Sequence, residues 1–223
     1  LPNLEVQHSV VHSCWHGLRS TPMERAAAAD KTNGTRREQI LSAAATLFAR
    51  SGFHGVGIDE IGAAVGISGP ALYRHFRSKD AMLAEMLTGI SDKLLVGGRS
   101  RVRSSRGADA LDELVRWHVE FALSNHALIT VHLRDLDCLP DEDQQRVRES
   151  QRCYVEIWVD TLRSVRPQLD HATARAAVHA VFGLINSTPF SAHLDSTAMA
   201  ARLREMALAA LGVDRPPADR IAG

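Results

Sequence analysis

At 223 residues the chain is long enough for one helical domain of ordinary size with a small second module. Lys plus Arg and Asp plus Glu are 26 each, so no overall polycation announces a nucleic-acid partner, and charge has to be read locally. No run of about 18 apolar residues occurs, and the opening residues lack a charged stretch followed by an apolar core, which argues against a membrane span and a secretory signal. The cysteines, Cys14, Cys138 and Cys153, are odd in number and lack CxxC spacing. That pattern speaks against a disulfide framework and a zinc knuckle, and for a reducing cytoplasm with buried inert thiols, or with Cys138 and Cys153 as a redox pair.

Residues 1–33 have little periodicity and read as a flexible arm, or as sequence upstream of a start at Met23. A helix follows, with Ile40, Ala44, Leu47 and Phe48 on one face and Gly52 just past its end. Shorter helices are predicted over 59–65 and 69–76, with a turn at Gly66 between them. Ser78 reads as the N-cap of a long helix with Asp80 in its first turn, running to about residue 96, where Gly97 and Gly98 interrupt it. Later helices are predicted over 108–124, 126–138, 141–165, 171–187 and 196–211, with breaks at Gly107, Pro140, Pro167 and Pro189. No alternating strand pattern appears, so the fold reads as all-α. Residues 216–223 read as a frayed tail.

The segment 56–83 carries the most specific signal. A helix-turn-helix needs two short helices crossing steeply around a tight turn. Gly62 supplies the small residue where they cross, and Gly66 the residue tolerant of positive φ. Ile61, Val65, Ile67 and Leu72 are spaced to pin the pair together. Ser68 fits as N-cap of the second helix, and Pro70 falls in its first turn, where its missing N–H does no harm. The small start Ser68, Gly69, Pro70, Ala71 would let the backbone approach a major-groove floor. Tyr73, Arg74, His75, Arg77 and Lys79 then suit phosphate contacts. Residues 35–80 hold six bases against four acids, so positive charge is modestly polarised toward this head.

On the run REQILSAAATLFARSGFHGVGIDEIGAAVGISGPALYRHFRSKDAML, and above all on IxxxVGIS, GPALYRHF and SKDAML, the segment resembles the N-terminal domain of the TetR family of bacterial regulators. The resemblance covers about 50 residues. It implies a three-helix DNA-binding head with a helix-turn-helix (34–80), a helical ligand-binding and dimerisation domain (81–215), and a homodimer built from the last two helices. It further implies that Tyr73, His75 and Lys79 contact phosphates and that Gly69 and Ala71 face bases. Two positions depart from the family pattern. Gly57 stands where Thr or Ser is usual before the second helix, and Gly62 where Ala is usual. Since Gly69 and Ala71 offer bases no side-chain hydrogen bond, specificity would lean on Arg74, on thymine methyl contacts, on an arm carrying Arg36 and Arg37, or on DNA shape.

The second domain is less explicit. Trp117 and Phe121 lie at i and i+4, and Trp158 and Phe182 add aromatic area on other helices. These four either line a pocket or form ordinary core. Within the same helices stand His118, His132, Arg134, Asp135, His179 and Asn186, polar groups that the resemblance would aim into an effector cavity. Arg99, Arg101, Arg103 and Arg106 lie roughly 30 Å along the helix from Lys79, too far for DNA contacts. They read either as a solvated helix end or as a site for an anionic effector, such as the phosphates of an acyl-CoA. Ala176, Ala177, Ala180, Val181 and Leu184 crowd the penultimate helix, and Met199, Leu203, Met206 and Ala210 stripe the last, a pattern suited to a four-helix dimer interface. No HxxxH or HExxH spacing supports a metal, no GxSxG elbow supports a hydrolase, and no cofactor is implied.

These features together predict a homodimeric regulator, read as a repressor, that binds double-stranded DNA at an inverted repeat. A small, largely apolar effector, acyl-CoA or fatty-acid-like, would release it. The alternatives are a helical protein-interaction module that has lost DNA binding and, with less behind it, a ligand-transforming enzyme.

Overall fold

The computed structural model describes residues 31–191 and 194–213, with side chains from Arg36 onward. The expected arm up to residue 30 and the expected tail 216–223 lie outside the described residues. The described chain is helical throughout, with no strand among the described residues. In order run α1 (Lys31–Ser51), α2 (Ile58–Ala64), α3 (Gly69–Leu72), α4 (Lys79–Ser104), α5 (Gly107–Ser124), α6 (His126–Asp135), a 3-10 turn (Leu136–Cys138), α7 (Asp141–Val165), α8 (His171–Ile185), α9 (Thr188–Ser191) and α10 (Ser196–Ala210).

Two compact units emerge. One holds the residues up to Gly89 together with Val131–Glu149, and the other holds Ile90–Thr130 and the residues from Ser150 on. Unit one therefore takes its last helical segment from the middle of the chain, where the sequence reading placed a single cut after residue 80. Its core is the buried face of α1 (Ile40, Ala44, Phe48) packed with Ile61, Leu72 and Leu83. Leu47, expected on that face, is half-buried. α1 ends at Gly52, whose φ of 81° lets its N–H return to the Phe48 carbonyl at 2.8 Å. α4 opens as expected, with Ser78 Oγ accepting from the Ala81 N–H at 3.0 Å.

In unit two, Leu111, Leu114 and Val115 of α5 are fully buried, as are Trp158 and Leu162 of α7 and Val178, Val181 and Ile185 of α8. α10 lays Met199, Leu203 and Ala207 inward, packing on α5 and α8. Buried Asp112 of α5 accepts from Arg204 Nε of α10 at 2.6 Å, and Glu156 of α7 accepts from His171 Nε2 and Arg175 Nη1 of α8 at 2.9 and 2.6 Å. Asp170 and Asp195 cap α8 and α10, accepting from Thr173 N at 2.7 Å and from Thr197 N and Ala198 N at 3.0 Å.

Four expectations need correction. Gly97 and Gly98 do not interrupt the long helix, which runs to Ser104. A Cβ on Gly97 would collide with the Trp117 indole, and one on Gly98 would lie 2.6 Å from the Tyr154 ring, so both glycines are there to admit aromatic rings against the helix backbone. The helix expected over 126–138 is α-helical to Asp135 and tightens to 3-10 geometry after it. α3 is a single α-turn, continued by i→i−3 bonds from Tyr73, Arg74 and His75 and by Phe76 N to Leu72 O at 3.0 Å. Pro189, expected as a break, stands in the first turn of α9, where its missing N–H leaves no bond unmade.

Candidate functional site

The helix pair α2 and α3 is built around its glycines. A Cβ on Gly62 would lie 2.7 Å from the Ile67 carbonyl oxygen and 3.1 Å from Gly69 N, so the small residue is what lets the turn pass. Gly66 has φ 70°, the left-handed conformation that glycine adopts without strain. Ile61 and Leu72 are fully buried between the helices, with Val65 and Ile67 half-buried beside them.

Of the residues expected to meet DNA, one group stands on the exposed rim. Tyr73 is 57% exposed, and Ser68, Pro70, Arg74 and Arg77 are also exposed. Ser68 has the backbone of an N-cap, but its hydroxyl makes no capping bond. Arg74 and Arg77 form no ion pair with any described residue. His75 and Ala71 are half-buried. Gly57 is the exposed N-cap of α2, has no side chain to cap with, and has open space where a Cβ would stand.

The remaining candidates are engaged inside the head. Gly69 is buried, and a Cβ there would strike the Asp59 carboxylate, so the small residue is what lets α3 pack against α2. Arg36 and Arg37 lie on α1 and not on a free arm. Arg36 donates to Val65 O at 2.6 Å and to Gln39 Oε1 at 3.1 Å. Arg37 donates from Nε to Glu85 Oε1 at 2.9 Å, pairs Nη2 with Oε2 of the same carboxylate, donates from Nη1 to the His75 carbonyl, and lies 4.0 Å from the Phe76 ring centre. Lys79 donates to Phe53 O and Val56 O at 2.8 and 2.9 Å, over the Phe53 ring, which commits two of its three N–H groups.

The segment 131–149 gives the same unit a staple. Arg134 donates to Ala49 O at 3.2 Å and to Phe48 O, placing a cation on the last carbonyls of α1, while buried Asp135 holds its guanidinium through two bonds of 3.1 Å. That hydrogen bond raises the Arg134 pKa above its usual value. His132, expected in the effector cavity, belongs to this unit as well, half-buried and with its pKa lowered by burial. Cys138 is a free thiol 3.5 Å from His54 Nε2, its pKa raised first by burial and then by Asp135 and Asp137. The alternative reading, in which Cys138 pairs with Cys153, is therefore not the one the structure adopts.

In unit two, four expected effector residues converge. His118 of α5 stacks on Phe182 of α8 with ring centres 4.6 Å apart and on Tyr154 of α7 at 5.7 Å, while Trp158 of α7 meets Phe182 edge-on at 5.0 Å. Asn186, the C-cap of α8, places Oδ1 3.1 Å from His118 Nε2, and the Tyr154 hydroxyl lies 3.2 Å from His118 Nδ1. An amide oxygen only accepts, so His118 carries its proton on Nε2 and accepts at Nδ1 from the Tyr154 hydroxyl. Burial holds the His118 pKa down to about 4, the Asn186 bond offsetting part of the effect. Burial likewise raises the Tyr154 pKa, the Trp158 indole N–H moderating the rise. Tyr154 joins the cluster without being an expected effector residue. Its i,i+4 spacing from Trp158 is the signal that could have found it.

The other effector candidates stand apart from this cluster. Phe121 is buried on α5 without joining the rings. Trp117 donates to Leu94 O at 3.4 Å and carries the Arg101 guanidinium 4.0 Å from its ring centre. His179 is exposed on α8, on one face with Ala176, Ala180 and Gly183. Of the apolar stripes expected at a dimer interface, Val181, Met199 and Leu203 are core of their own chain, whereas Met206 is 44% exposed and Ala210 is exposed.

Two family models match. The model described as bacterial regulatory proteins, tetR family, covers residues 40–86, and the one described as tetracyclin repressor-like, C-terminal domain, covers 104–190. The HTH-type transcriptional repressor KstR2 of Rhodococcus jostii is 32% identical over 140 residues, spanning 61% of this chain and 69% of that protein. Among solved structures, a TetR-family transcriptional regulator from Bordetella parapertussis superposes with a TM-score of 0.70 at 28% identity, covering 77% of this chain and 93% of that one. A transcriptional regulator FadR from Bacillus subtilis, solved in complex with stearoyl-CoA, superposes at 0.60 and 18% identity, over 78% and 98%. A tight helix pair with an exposed polar rim, followed by a helical domain that matches the family's own C-terminal model, makes this chain a member of the TetR family of DNA-binding transcriptional regulators and not an enzyme.

Proposed function

We propose that the protein is a ligand-responsive repressor that binds an inverted-repeat operator as a homodimer in the cytoplasm, and that a small, largely apolar effector releases it. The observation that carries the reading is the exposed rim Ser68, Pro70, Tyr73, Arg74 and Arg77, raised on a helix pair that Gly62 and Gly66 hold tightly. Ala71 and His75 sit at its edge, and Lys79 keeps one N–H for a phosphate. One short helix reads few base pairs, so two heads about 34 Å apart are needed for a useful operator. The exposed small residues of α8 and the outer face of α10, with Met206, are the surface offered to a second copy. The repressor reading follows the name of the KstR2 relative.

For the effector, the supporting features are the His118–Phe182 ring cluster and the basic end of α4, where Arg101 stacks on Trp117. An acyl-CoA or fatty-acid-like molecule fits an apolar body with an anionic head, in keeping with the stearoyl-CoA bound by FadR. Release requires the effector to bind the DNA-free conformation more tightly.

The test is selection from a genomic fragment library at about 0.1 M salt, where phosphate contacts still hold, with Tyr73→Ala and Arg74→Ala as controls. A short inverted repeat enriched by the parent and enriched less by both variants is expected. An unchanged enrichment in the variants would move the interface elsewhere.

A further inference from the structure

Buried N–H groups in folded proteins are almost always bonded, so an orphan next to an organised polar network points to a missing acceptor. Trp158 is such a case. Its side chain is fully buried in α7, and its indole N–H, although close enough to the Tyr154 oxygen to be felt there, meets no acceptor in hydrogen-bonding geometry. The network around it is otherwise spoken for. The Tyr154 proton goes to His118 Nδ1 and the His118 proton to Asn186 Oδ1. Two sets of protons remain unused, the Trp158 indole N–H within the cluster and the Asn186 amide N–H groups at its edge.

The surroundings select the kind of acceptor. Three stacked rings (His118, Tyr154 and Phe182) and the edge-on Trp158 give an apolar, flat-sided environment. His118 is neutral there, and the one cation that Tyr154 feels, Arg101, is stacked on Trp117 and bonded to Gly97 O at 3.0 Å. A carboxylate entering would lose its hydration with no ammonium or guanidinium to meet it, while a neutral carbonyl needs a single donor. Phe182 and Asn186 are half-buried, whereas His118, Tyr154 and Trp158 are buried, so any ligand would have to approach from the Phe182 and Asn186 side.

We propose that this aromatic box binds the carbonyl oxygen of a neutral, apolar ligand, which accepts the Trp158 indole proton. The proposal rests on the reading that this domain takes up an effector, and it narrows the effector to a ketone, ester or thioester whose carbonyl reaches Trp158.

The experiment follows the indole 1H–15N signals of the full-length protein while three fragments of one shape are added: cyclohexanone, methylcyclohexane and cyclohexanecarboxylate. The chain has three tryptophans, and the Trp158 signal is assigned by its loss in Trp158→Phe or, should that variant not fold, by elimination with Trp117→Phe and Trp15→Phe. A saturable downfield shift of the Trp158 proton with cyclohexanone, at an affinity about tenfold above methylcyclohexane, is one hydrogen bond's worth and is the expected result. An unmoved Trp158 signal, equal binding of ketone and hydrocarbon, or tighter binding of the carboxylate would each overturn the proposal. Operator affinity measured alongside separates the two claims. Release by stearoyl-CoA with no cyclohexanone effect at Trp158 keeps the effector reading and sinks the box. A Trp158 shift with no ligand releasing operator does the reverse.

Discussion

A Cβ placed on Gly62 would lie 2.7 Å from the backbone carbonyl oxygen of Ile67, and this one approach sets how closely the turn crosses α2. Backbone cannot swing away as a long side chain can. Gly62→Ala should therefore destabilise the head by about 1–3 kcal/mol, as overpacking does, with alanine's better helix propensity returning up to about 1 kcal/mol. The denaturation midpoint of the variant checks this. A midpoint at or above the parent's would mean the turn is looser than it looks.

Gly57 invites the opposite change. Its φ of −88° and ψ of 158° suit any residue, it is exposed, and nothing stands within 4 Å of a Cβ. Gly57→Thr should raise stability by about 0.5–1 kcal/mol, through a stiffer unfolded chain and a hydroxyl able to cap α2. The same hydroxyl at the rim should tighten operator binding. Thermal melting and operator titration read the two effects separately, and a drop in melting temperature would contradict the open geometry.

Cations at this head divide by what they already touch. Arg74 is exposed and unpaired among the described residues, whereas Arg37 is bound to Glu85 and the His75 carbonyl. Arg74→Ala should lower the slope of log affinity against log salt by about 1, the signature of one lost phosphate contact, and leave melting unchanged. Arg37→Ala should lower the melting temperature and leave the salt slope alone. The pair of measurements is decisive because a reversed pattern would exchange the two roles.

The contrast shows how far the sequence could be read. The helix-turn-helix was legible because its requirements are local: Gly66, Ile67 and Ser68 are adjacent, and Gly62 sits one turn before them. The partners of charged groups were not legible. Arg36, Arg37 and Lys79 show only their charge in the sequence, and it takes the fold to bring Val65 O, Glu85 and Phe53 O to them. The same holds for Gly97 and Gly98, which read as breakers because Trp117 and Tyr154 arrive from later helices. That His118, Phe182, Trp158 and Asn186 meet while His132 and His179 stand elsewhere depends on which helix faces pack together, and one sequence does not state that.

The buried imidazole should leave its mark on the pH dependence of folding. His118 has its pKa lowered to about 4 by burial, while in the unfolded chain it returns to near 6.5. Between these values the unfolded chain binds a proton that the folded one does not, so stability rises with pH there. The contribution is fully present above pH 6.5 and is lost as pH falls toward 4, by up to about 3 kcal/mol for a shift of this size. His118→Gln, which keeps a donor and an acceptor at the site, removes the titrating group. It should be less stable than the parent at neutral pH, because the polar contacts fit less well, and the gap should narrow steadily from pH 7 to pH 4.5. Urea unfolding across that range measures it. Parallel curves for parent and variant would mean that His118 titrates normally, and the tightly bonded, neutral imidazole between Tyr154 and Asn186 would have to be given up.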